Sequence, residues 1–226
     1  MRASGVAVPK PLVLVRGTPL VEHNLRQLLR HGFDDVVVSV PGDGGPIGEY
    51  AEGRLSQLAS EAGARLRVLA ETTPLGNIGC AGLLHGEGDV LTVYADNLTA
   101  LDLRDVLRHH AESGAALTLA AHDERFRLPY GRLEIEDGRV LGYAEKPTIA
   151  VTVCSAVAVL GPDATAALPA GRPAGLVDLT VELLRRGLPV AAYRHDAPWI
   201  DVNDGDAVRR AEALLEEHAA AFAWPA

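Results

Sequence analysis

The alternation of short apolar runs with amphipathic segments constrains the fold of this chain more than any other feature. The β-branched run Val36-Val-Val-Ser-Val40 ends in the loop Pro41-Gly-Asp-Gly-Gly45, which is typical of a buried strand. Before this run, apolar residues recur at helical spacing over 19–31, and Gly32 closes the segment. Strands that alternate with helices in this way predict an α/β fold with a mostly parallel sheet and helices on both faces.

The same alternation continues towards the end of the chain. Further strands are predicted at 65–70, 90–95, 115–121, 151–160 and 188–193, and further helices at 50–62, 101–112, 176–186 and 204–219. Segments 131–136 and 139–145 predict a hairpin around Asp137-Gly138, a dipeptide that favours a two-residue turn. We interpret the hairpin and the late strands as a small β insertion that binds substrate.

Length and composition indicate one globular domain over 1–226. Hydrophobic residues make up 48% of the 226 residues and charged residues 23%, an ordinary balance for such a domain. The net charge of −9 argues against a nucleic-acid-binding protein, because polyanion binding depends on many basic residues. A phosphorylated small molecule can still bind where a few cations converge. No apolar run reaches the ~18 residues that a membrane span requires, and the first residues do not resemble a signal peptide.

The cysteines and histidines give little sign of metal or nucleophile chemistry. Cys80 and Cys154 lack the spacing of a CxxC motif, and we interpret them as reduced packing residues of a cytoplasmic protein. The eight histidines show no spacing typical of a metal site. No serine or cysteine has the local signature of an activated nucleophile.

Two aspartates follow predicted strands directly. Asp96 comes after the buried run that ends at Ala95, and Asp201 follows Trp199-Ile200. In open parallel sheets, ligands bind at the carboxyl ends of the strands, and Mg²⁺ takes one or two carboxylates together with phosphate oxygens. Taken alone, Asp96 could simply begin a turn, and Asp201 could lie in an ordinary turn or cap the following helix.

A segment near the start of the sequence resembles a known family. The segment Val8-Pro-Lys-Pro-Leu-Val-Leu-Val-Arg-Gly-Thr-Pro-Leu-Val-Glu-His23 resembles the P-K-P-L/M-x-x-V-x-G-x-P-L/M segment of sugar-1-phosphate nucleotidyltransferases. The resemblance implies that Lys10 is a catalytic residue facing the phosphates of a nucleoside triphosphate. In that family a first strand and a G-G-x-G-T-R loop precede this run. Met1 aligns just after the arginine of that loop, so we expect the natural protein to be longer and this chain to be truncated at its N-terminus.

Both aspartates match the same family. Asp96 matches the aspartate of its L-V-x-x-G-D segment, and Trp199-Ile-Asp201 matches W-x-D-x-G-T. The resemblance implies that Asp96 and Asp201 hold a catalytic Mg²⁺. Two departures are visible, because Ala95 and Asn203 stand where the family has glycine.

Two further segments resemble the substrate-binding parts of this family. Glu71-Thr-Thr-Pro-Leu-Gly-Asn-Ile-Gly-Cys-Ala-Gly82 is similar to E-x-x-P-L-G-T-A-G-A. The resemblance implies contacts with the base and ribose from four residues of this segment: Pro74, Leu75, Gly76 and Asn77.

Tyr130-Gly131 and Glu145-Lys-Pro147 are similar to the family segments Y-G-x-v and E-K-P. The resemblance implies that the Gly131 backbone and Glu145 bind sugar hydroxyls and that Lys146 binds the sugar phosphate. The alternative is that Glu145 and Lys146 are only solvated hairpin residues. Cys154 and Ala156 stand where the family has the asparagine and glycine of N-x-G.

Taken together, the resemblance implies a Rossmann-like fold of the nucleotide-diphospho-sugar transferase type. The implied reaction joins a nucleoside triphosphate and a sugar 1-phosphate to give a nucleotide sugar and pyrophosphate. The compact length resembles guanylyltransferases acting on mannose-like or heptose 1-phosphates, while thymidylyl and uridylyl relatives stay open, as does a homo-oligomer. The alternative is a catalytically impaired paralogue that binds nucleotide sugars and regulates a partner.

Overall fold

The computed structural model describes residues 8–223. The segment before Val8, where we expect the family's phosphate-binding loop to be missing, lies outside the described residues. Strands in the described range are β1 Leu14–Val15, β2 Thr18–Pro19, β3 Asp35–Pro41, β4 Arg65–Glu71, β5 Val90–Val93, β6 Asn97–Thr99, β7 Leu117–Arg127, β8 Arg132–Glu136, β9 Arg139–Ala144, β10 Thr148–Leu160, β11 Val190–Arg194 and β12 Trp199–Asp201.

The helices connect these strands in the predicted alternation. The α-helices are α1 Leu20–Arg30, α2 Gly45–Tyr50, α3 Ser56–Glu61, α4 Leu103–Ser113, α5 Pro162–Ala167, α6 Leu176–Arg185, α7 Gly205–Glu217 and α8 Ala219–Phe222. A π-helical turn, Ala51–Leu55, joins α2 to α3, and 3-10 helices lie at Lys10–Leu12 and Gly79–Leu84. None of the helices in the described range has both the length and the apolar character needed to cross a bilayer.

Local sequence signals account for several of these boundaries. The side chain of Asp102 caps α4 by accepting hydrogen bonds from the backbone N–H groups of Arg104 and Asp105, and the helix ends at the left-handed Gly114. At the hairpin tip, Asp137 and Gly138 have φ of 47° and 77°. Positive φ at both positions is the requirement of a type I′ turn, so the predicted hairpin is confirmed.

The largest sheet has four strands in the order β11-β7-β10-β5. β7 and β11 pair in parallel, whereas β10 pairs antiparallel with both β5 and β7. Three of the four strands therefore share one direction, and the predicted α/β class is confirmed. β10 is reversed because the β8–β9 hairpin turns the chain back before β10 begins.

Alternate residues of the four-stranded sheet bury its two faces under different helices. Leu117, Ala158 and Leu160 pack in one cluster with residues of α5 and α6. Ala120 and Val159 pack in a second cluster with residues of α4. Because successive strand side chains point to opposite faces, this division confirms helices on both sides of the sheet.

A separate parallel pair, β3–β4, packs against α1 and α3. Among the described residues, β3 pairs only with β4, and β5 pairs only with β10. Leu28 and Phe33 contact both the cluster under β3 and the cluster under β5. Side-chain packing, rather than backbone hydrogen bonding, therefore joins the two sheets in this part of the chain.

β10 contains a bulge that departs from regular strand geometry. Its register against β7 changes between Cys154, opposite Ala121, and Ala158, opposite Leu119. Inside the bulge, Ala156 has a φ of 54°, a left-handed conformation that is unfavourable for a residue with a Cβ. The bulge thereby turns two carbonyl groups away from the β7 ladder.

Those two carbonyls hold the segments that carry the predicted metal ligands. The Ala156 carbonyl accepts a hydrogen bond from the backbone N–H of Tyr94 at 3.2 Å. The Ser155 carbonyl accepts one from the indole N–H of Trp199 at 2.8 Å. Tyr94 precedes Asp96 by two residues and Trp199 precedes Asp201 by two, so one bulge fixes both segments.

We predict that Ala156→Gly raises the free energy of unfolding by about 0.5–1 kcal/mol, because glycine adopts positive φ without the Cβ penalty but has more unfolded-state entropy. Ala158→Gly is the matched control, since Ala158 lies in the regular, fully buried part of the same strand. The control should lower stability by about 1 kcal/mol or more. Denaturant unfolding measures both, and equal destabilisation by the two changes would contradict the strain at Ala156.

Candidate functional site

Three residues that are far apart in the sequence meet at the predicted catalytic site. The Lys10 ammonium lies 3.5 Å from Asp96 Oδ2 and donates to Asn203 Oδ1 at 2.5 Å. The amide N–H of Asn203 in turn donates to Asp201 Oδ2. Lys10, Asp96 and Asp201 are therefore linked in one hydrogen-bonded cluster, with Asn203 between the lysine and the second aspartate.

A short antiparallel pair places the two aspartates side by side. β6 and β12 align Asp201 opposite Asn97, and the backbone N–H of Val202 donates to the Asp96 carbonyl at 3.0 Å. Leu98 and Ile200 bury the underside of this pair in a cluster with residues of α7. The carboxylates thus stand on strands that are anchored in the core.

The alternative interpretation of Asp201 as a helix cap is wrong. The N-cap of α7 is Asp204, whose Oδ1 accepts the backbone N–H of Ala207 at 2.7 Å. The carboxylate of Asp201 is thereby available for another role.

One oxygen of Asp201 lacks a partner. Asp201 Oδ1 is buried, and it accepts no hydrogen bond from any described residue. A buried polar atom without a partner costs roughly 1–3 kcal/mol, so such an atom needs an explanation. A cation or a bound ligand would satisfy this oxygen.

The donor set fits a hard divalent cation that is completed by substrate. Within residues 8–223, no group of three or more histidines, cysteines, aspartates and glutamates could enclose an ion. The cluster instead offers the carboxylates of Asp96 and Asp201. Mg²⁺ is commonly held by one or two carboxylates together with waters and phosphate oxygens, and these two residues match that requirement.

In the sequence, Asn203 stands out only as a departure from the family's glycine. In the structure its side chain contacts both Lys10 and Asp201. Its position two residues after Asp201 on an exposed loop was the available signal, because an amide can donate to a carboxylate and accept from an ammonium at once.

The loop carrying Leu75, Gly76 and Asn77 packs against the start of α6. The Leu75 carbonyl accepts from the Ala174 N–H at 2.9 Å, and Asn77 Oδ1 accepts from the Leu176 N–H at 3.0 Å. Gly76 has a φ of 77°, and a Cβ there would lie 2.5 Å from the Ala174 carbonyl oxygen. Only glycine fits this close approach.

A cavity of about 490 Å³ opens beside this loop, at the carboxyl ends of β3 and β4. Glu71 closes one side, and its two carboxylate oxygens accept from Ser39 Oγ at 2.5 Å and from the Leu75 N–H at 2.8 Å. Pro74 also lines the cavity. The lining residues are Pro41, Gly42, Asp43, Glu71, Thr72 and Pro74.

The remaining predicted residues lie at the base of the β8–β9 hairpin. Tyr143 Oη donates to Glu145 Oε2 at 2.6 Å, and this hydrogen bond raises the pKa of Tyr143. A Cβ on Gly131 would lie 2.3 Å from Tyr143 Oη, so the tyrosine occupies the space that a side chain there would need. Lys146 is exposed and has a φ of 44°.

Tyr143 was not singled out from the sequence. It lies two residues before Glu145, on the side of the strand ribbon that faces Gly131, and that spacing was its only signal. Between residues 8 and 223, no hydrogen bond or ion pair joins the hairpin base or the Leu75 loop to the Lys10 cluster. The structure therefore presents the predicted residues as three separate groups.

Comparisons with known proteins identify the family to which the chain belongs. A family model described as nucleotidyl transferase matches residues 5–218. The chain is similar to a UTP–glucose-1-phosphate uridylyltransferase from Synechocystis sp., at 26% identity over 221 residues, covering 86% of this chain and 55% of that protein. It is also similar to a probable glucose-1-phosphate cytidylyltransferase from Bacillus subtilis, at 23% identity, covering 87% of this chain and 84% of that protein.

The fold has solved counterparts as well. HddC from Yersinia pseudotuberculosis superposes with a TM-score of 0.69 at 17% identity, over 94% of this chain and 93% of that one. The chain thus spans little more than half of the Synechocystis relative and nearly all of HddC. The family match covers most of the sequence, and the chain belongs to the nucleotidyl transferase family.

Proposed function

We propose that this protein joins a nucleoside triphosphate and a sugar 1-phosphate to give a nucleotide sugar and pyrophosphate. An oxygen of the sugar phosphate forms a bond to the α-phosphorus, the bond from that phosphorus to the bridging oxygen breaks, and pyrophosphate leaves. The observation that carries the proposal is the buried, unpartnered oxygen of Asp201 beside Asp96 and Lys10. Phosphoryl chemistry of this kind needs positioning and charge neutralisation rather than a covalent intermediate.

Asp96 and Asp201 are the residues that would hold Mg²⁺. Bound there, the ion would supply charge neutralisation on phosphate oxygens. Lys10 adds a second positive charge on the same cluster, and its half-exposed side chain can turn from Asp96 towards a phosphate. The Asn203 amide would keep the Asp201 carboxylate oriented by donating a hydrogen bond to Asp201 Oδ2.

The lysine content of the chain supports the assignment of the phosphate-binding residues. Only Lys10 and Lys146 are lysines among the 21 basic residues of the sequence. Everywhere else the chain uses arginine. An ammonium binds a phosphate oxygen as a compact point charge on a flexible stem, whereas a guanidinium binds phosphate as a rigid planar fork. Both lysines fall in segments proposed to meet phosphate.

The two other groups of residues would recognise the substrates. The loop of Pro74, Leu75, Gly76 and Asn77 would approach the base and ribose with its backbone, beside the cavity at the ends of β3 and β4. The Gly131 backbone and Glu145 would bind sugar hydroxyls, since a carboxylate accepts paired hydroxyl donors. Tyr143 would fix the orientation of Glu145.

The identity of the base and sugar is a further proposal. The two relatives are named for uridylyl and cytidylyl transfer, whereas the compact length favours a guanylyl donor and a mannose-like or heptose 1-phosphate. Pyrophosphate release with GTP, CTP, UTP and dTTP against several sugar 1-phosphates tests the reaction. Binding of substrates without pyrophosphate release in any combination would contradict a transferase and match a regulatory paralogue.

The reaction is proposed to occur in the cytoplasm with these two substrates as the partners and no nucleic acid. Both cysteines are free in the structure, which suits a reducing compartment. The net charge of −9 disfavours binding to polyanions in general.

We predict that Asp96→Asn or Asp201→Asn lowers kcat by about a hundredfold or more, because each change removes a carboxylate that would hold the cation that neutralises charge on the phosphate oxygens. Asp206→Asn, which removes an exposed carboxylate of α7 that pairs with Arg209, is the control and should leave kcat unchanged. Pyrophosphate release at saturating Mg²⁺ and circular dichroism measure activity and fold. Near-normal kcat in either site variant would remove that residue from the metal site.

We predict that Lys146→Ala raises KM for the sugar 1-phosphate at least about tenfold, equivalent to ~1.4 kcal/mol, and changes KM for the nucleotide little. The reason is that its ammonium is proposed to contact only the acceptor phosphate. Lys146→Arg keeps the positive charge, so its KM for the sugar 1-phosphate should lie between those of the unaltered protein and Lys146→Ala. Initial-rate kinetics with each substrate varied decide the matter, and equal effects on both KM values would place Lys146 elsewhere.

A further inference from the structure

A buried chain of polar side chains lies behind the candidate site, and the proposed reaction does not use it. Ser155, in the bulge of β10, is fully buried. Its hydroxyl oxygen lies 2.8 Å from His122 Nδ1 on β7 and 2.8 Å from His195 Nε2, just after β11. One hydroxyl thus bridges two imidazoles from different strands.

The two ends of this chain determine the direction of every hydrogen bond in it. The backbone N–H of Ala197 donates to His195 Nδ1 at 3.2 Å, so this nitrogen carries no proton. Neutral His195 then holds its proton on Nε2 and donates it to Ser155 Oγ. At the other end, His122 Nε2 lies 3.2 Å from Glu124 Oε1, and an ionised carboxylate can only accept.

The direction of the hydrogen bond between Ser155 and His122 follows by elimination. His122 must carry its proton on Nε2 to reach Glu124, which leaves Nδ1 as an acceptor for the Ser155 hydroxyl proton. Four hydrogen bonds therefore run one way, from the Ala197 N–H through His195, Ser155 and His122 to Glu124. This arrangement exists only while both imidazoles are neutral.

Ser155 also holds the segment that leads to Asp201. Its carbonyl accepts the indole N–H of Trp199 at 2.8 Å, and the Trp199 ring lies 4.6 Å from the His122 ring. Residues 195–199 are thereby held by the Ser155 side chain at one end and by its backbone at the other. Asp201 follows directly on β12.

We propose that the chain from His195 through Ser155 and His122 to Glu124 is a pH-sensitive clamp that positions Asp201, closed while both histidines are neutral and open when His195 is protonated. The consequence for Asp201 rests on the proposed function, whereas the clamp itself does not. Ser155, His122 and His195 are positioning residues in this proposal, since they act through the strand that carries Asp201.

Protonation is incompatible with the chain for a reason of hydrogen-bond counting. A charged His195 carries N–H groups on both nitrogens, so its Nδ1 would face the Ala197 N–H donor to donor. A charged His122 would donate from Nδ1 to Ser155, leaving the buried hydroxyl proton without an acceptor. Either event breaks a link of the chain.

The surroundings favour the neutral form of His195. Burial is the main cause that lowers the pKa of His195, and the neighbouring His122 adds to it, while Asp196 opposes the shift. Tyr193 stacks 6.5 Å from the His195 ring. The titratable and charged groups around the pair are Tyr193, Arg194, Asp196, Asp123 and Glu124, with Arg194 and Asp123 paired to each other.

The direction of the pH effect follows from this lowered pKa. The unfolded chain, with a histidine pKa of 6.5, binds more protons than the folded one. The clamp's contribution to stability is therefore complete above pH 6.5 and is lost as the pH falls from 6.5 through the lower folded-state pKa.

Long-range ¹H–¹⁵N NMR of the imidazoles tests the direction of these hydrogen bonds. The measurement is made at about pH 7.5, which lies above the ordinary histidine pKa. We expect His122 and His195 both to carry the proton on Nε2. A proton on Nδ1 of His195 would overturn the proposal, because the Ala197 N–H could then no longer donate to it.

Amide hydrogen exchange tests the clamp, with Ser155→Ala as the disrupting variant. We expect exchange at Ala197 and Val202, corrected for the intrinsic pH dependence of amide exchange, to rise at least about tenfold in this variant at pH 7.5 and in the unaltered protein as the pH is lowered below 6.5. The Val202 N–H bonds the Asp96 carbonyl, so it reports on the contact between the two aspartate segments. Amides of β3 and β4 should stay protected. A uniform rise, or none, would contradict a local clamp.

Thr118→Val is the matched control. Thr118 Oγ1 lies 2.8 Å from His110 Nδ1, a second buried hydroxyl–imidazole pair that is not part of this chain. Trp224→Phe leaves Trp199 as the one indole, and its fluorescence should titrate below pH 6.5, because charging of His195 opens the clamp that holds the indole against the Ser155 carbonyl. The titration should persist in Thr118→Val and change in Ser155→Ala. None of these measurements uses substrate, so absent turnover would not count against the clamp.

Discussion

The candidate site depends on the bulge in β10. In a regular strand, the carbonyls of Ser155 and Ala156 would accept hydrogen bonds from the neighbouring strands, since buried backbone groups are almost always paired. The bulge frees the Ser155 carbonyl for the Trp199 indole, while the Ala156 carbonyl accepts from the Tyr94 N–H, one residue beyond the β5–β10 pairing at Val93. These two bonds bring the end of β5 and the start of β12 to the same place. Together with the pairing of β6 and β12, these bonds set the separation of Asp96 and Asp201.

Charge explains why such a rigid support is useful. Two carboxylates held side by side repel each other, and an ammonium from Lys10 between Asp96 and Asn203 offsets part of that repulsion. The same arrangement is suited to release the lysine when phosphate arrives with its own cation. One oxygen of Asp201 accepts no hydrogen bond from any described residue, as the proposed binding of a cation requires. The support therefore stabilises an arrangement that the carboxylates alone would not adopt.

The sequence predicted the features that local patterns encode. The helix over 19–31, the strand over 36–40 and the turn at Asp137-Gly138 follow from periodicity and from residues that accept positive φ. The structure has the helix at Leu20–Arg30, the strand at Asp35–Pro41 and the turn as predicted. Lys10, Asp96 and Asp201 were found by resemblance, and the structure brings them into contact. β6 has only three residues, too few to show a period, so its pairing with β12 was not predictable. The bulge and the Ser155 chain depend on the register between distant strands, which no local pattern specifies.

The residues that depart from the family pattern have opposite physical consequences. Ala156 stands in a left-handed conformation that the family's glycine would adopt freely, so it adds strain without adding a contact. Asn203 also replaces a glycine, but its amide joins Lys10 to Asp201. The strained residue lies at the point where both aspartate segments are anchored, and the added contact lies between the groups that those segments present. In this chain the arrangement of Lys10, Asp96 and Asp201 therefore combines a strained anchor at Ala156 with an added contact at Asn203.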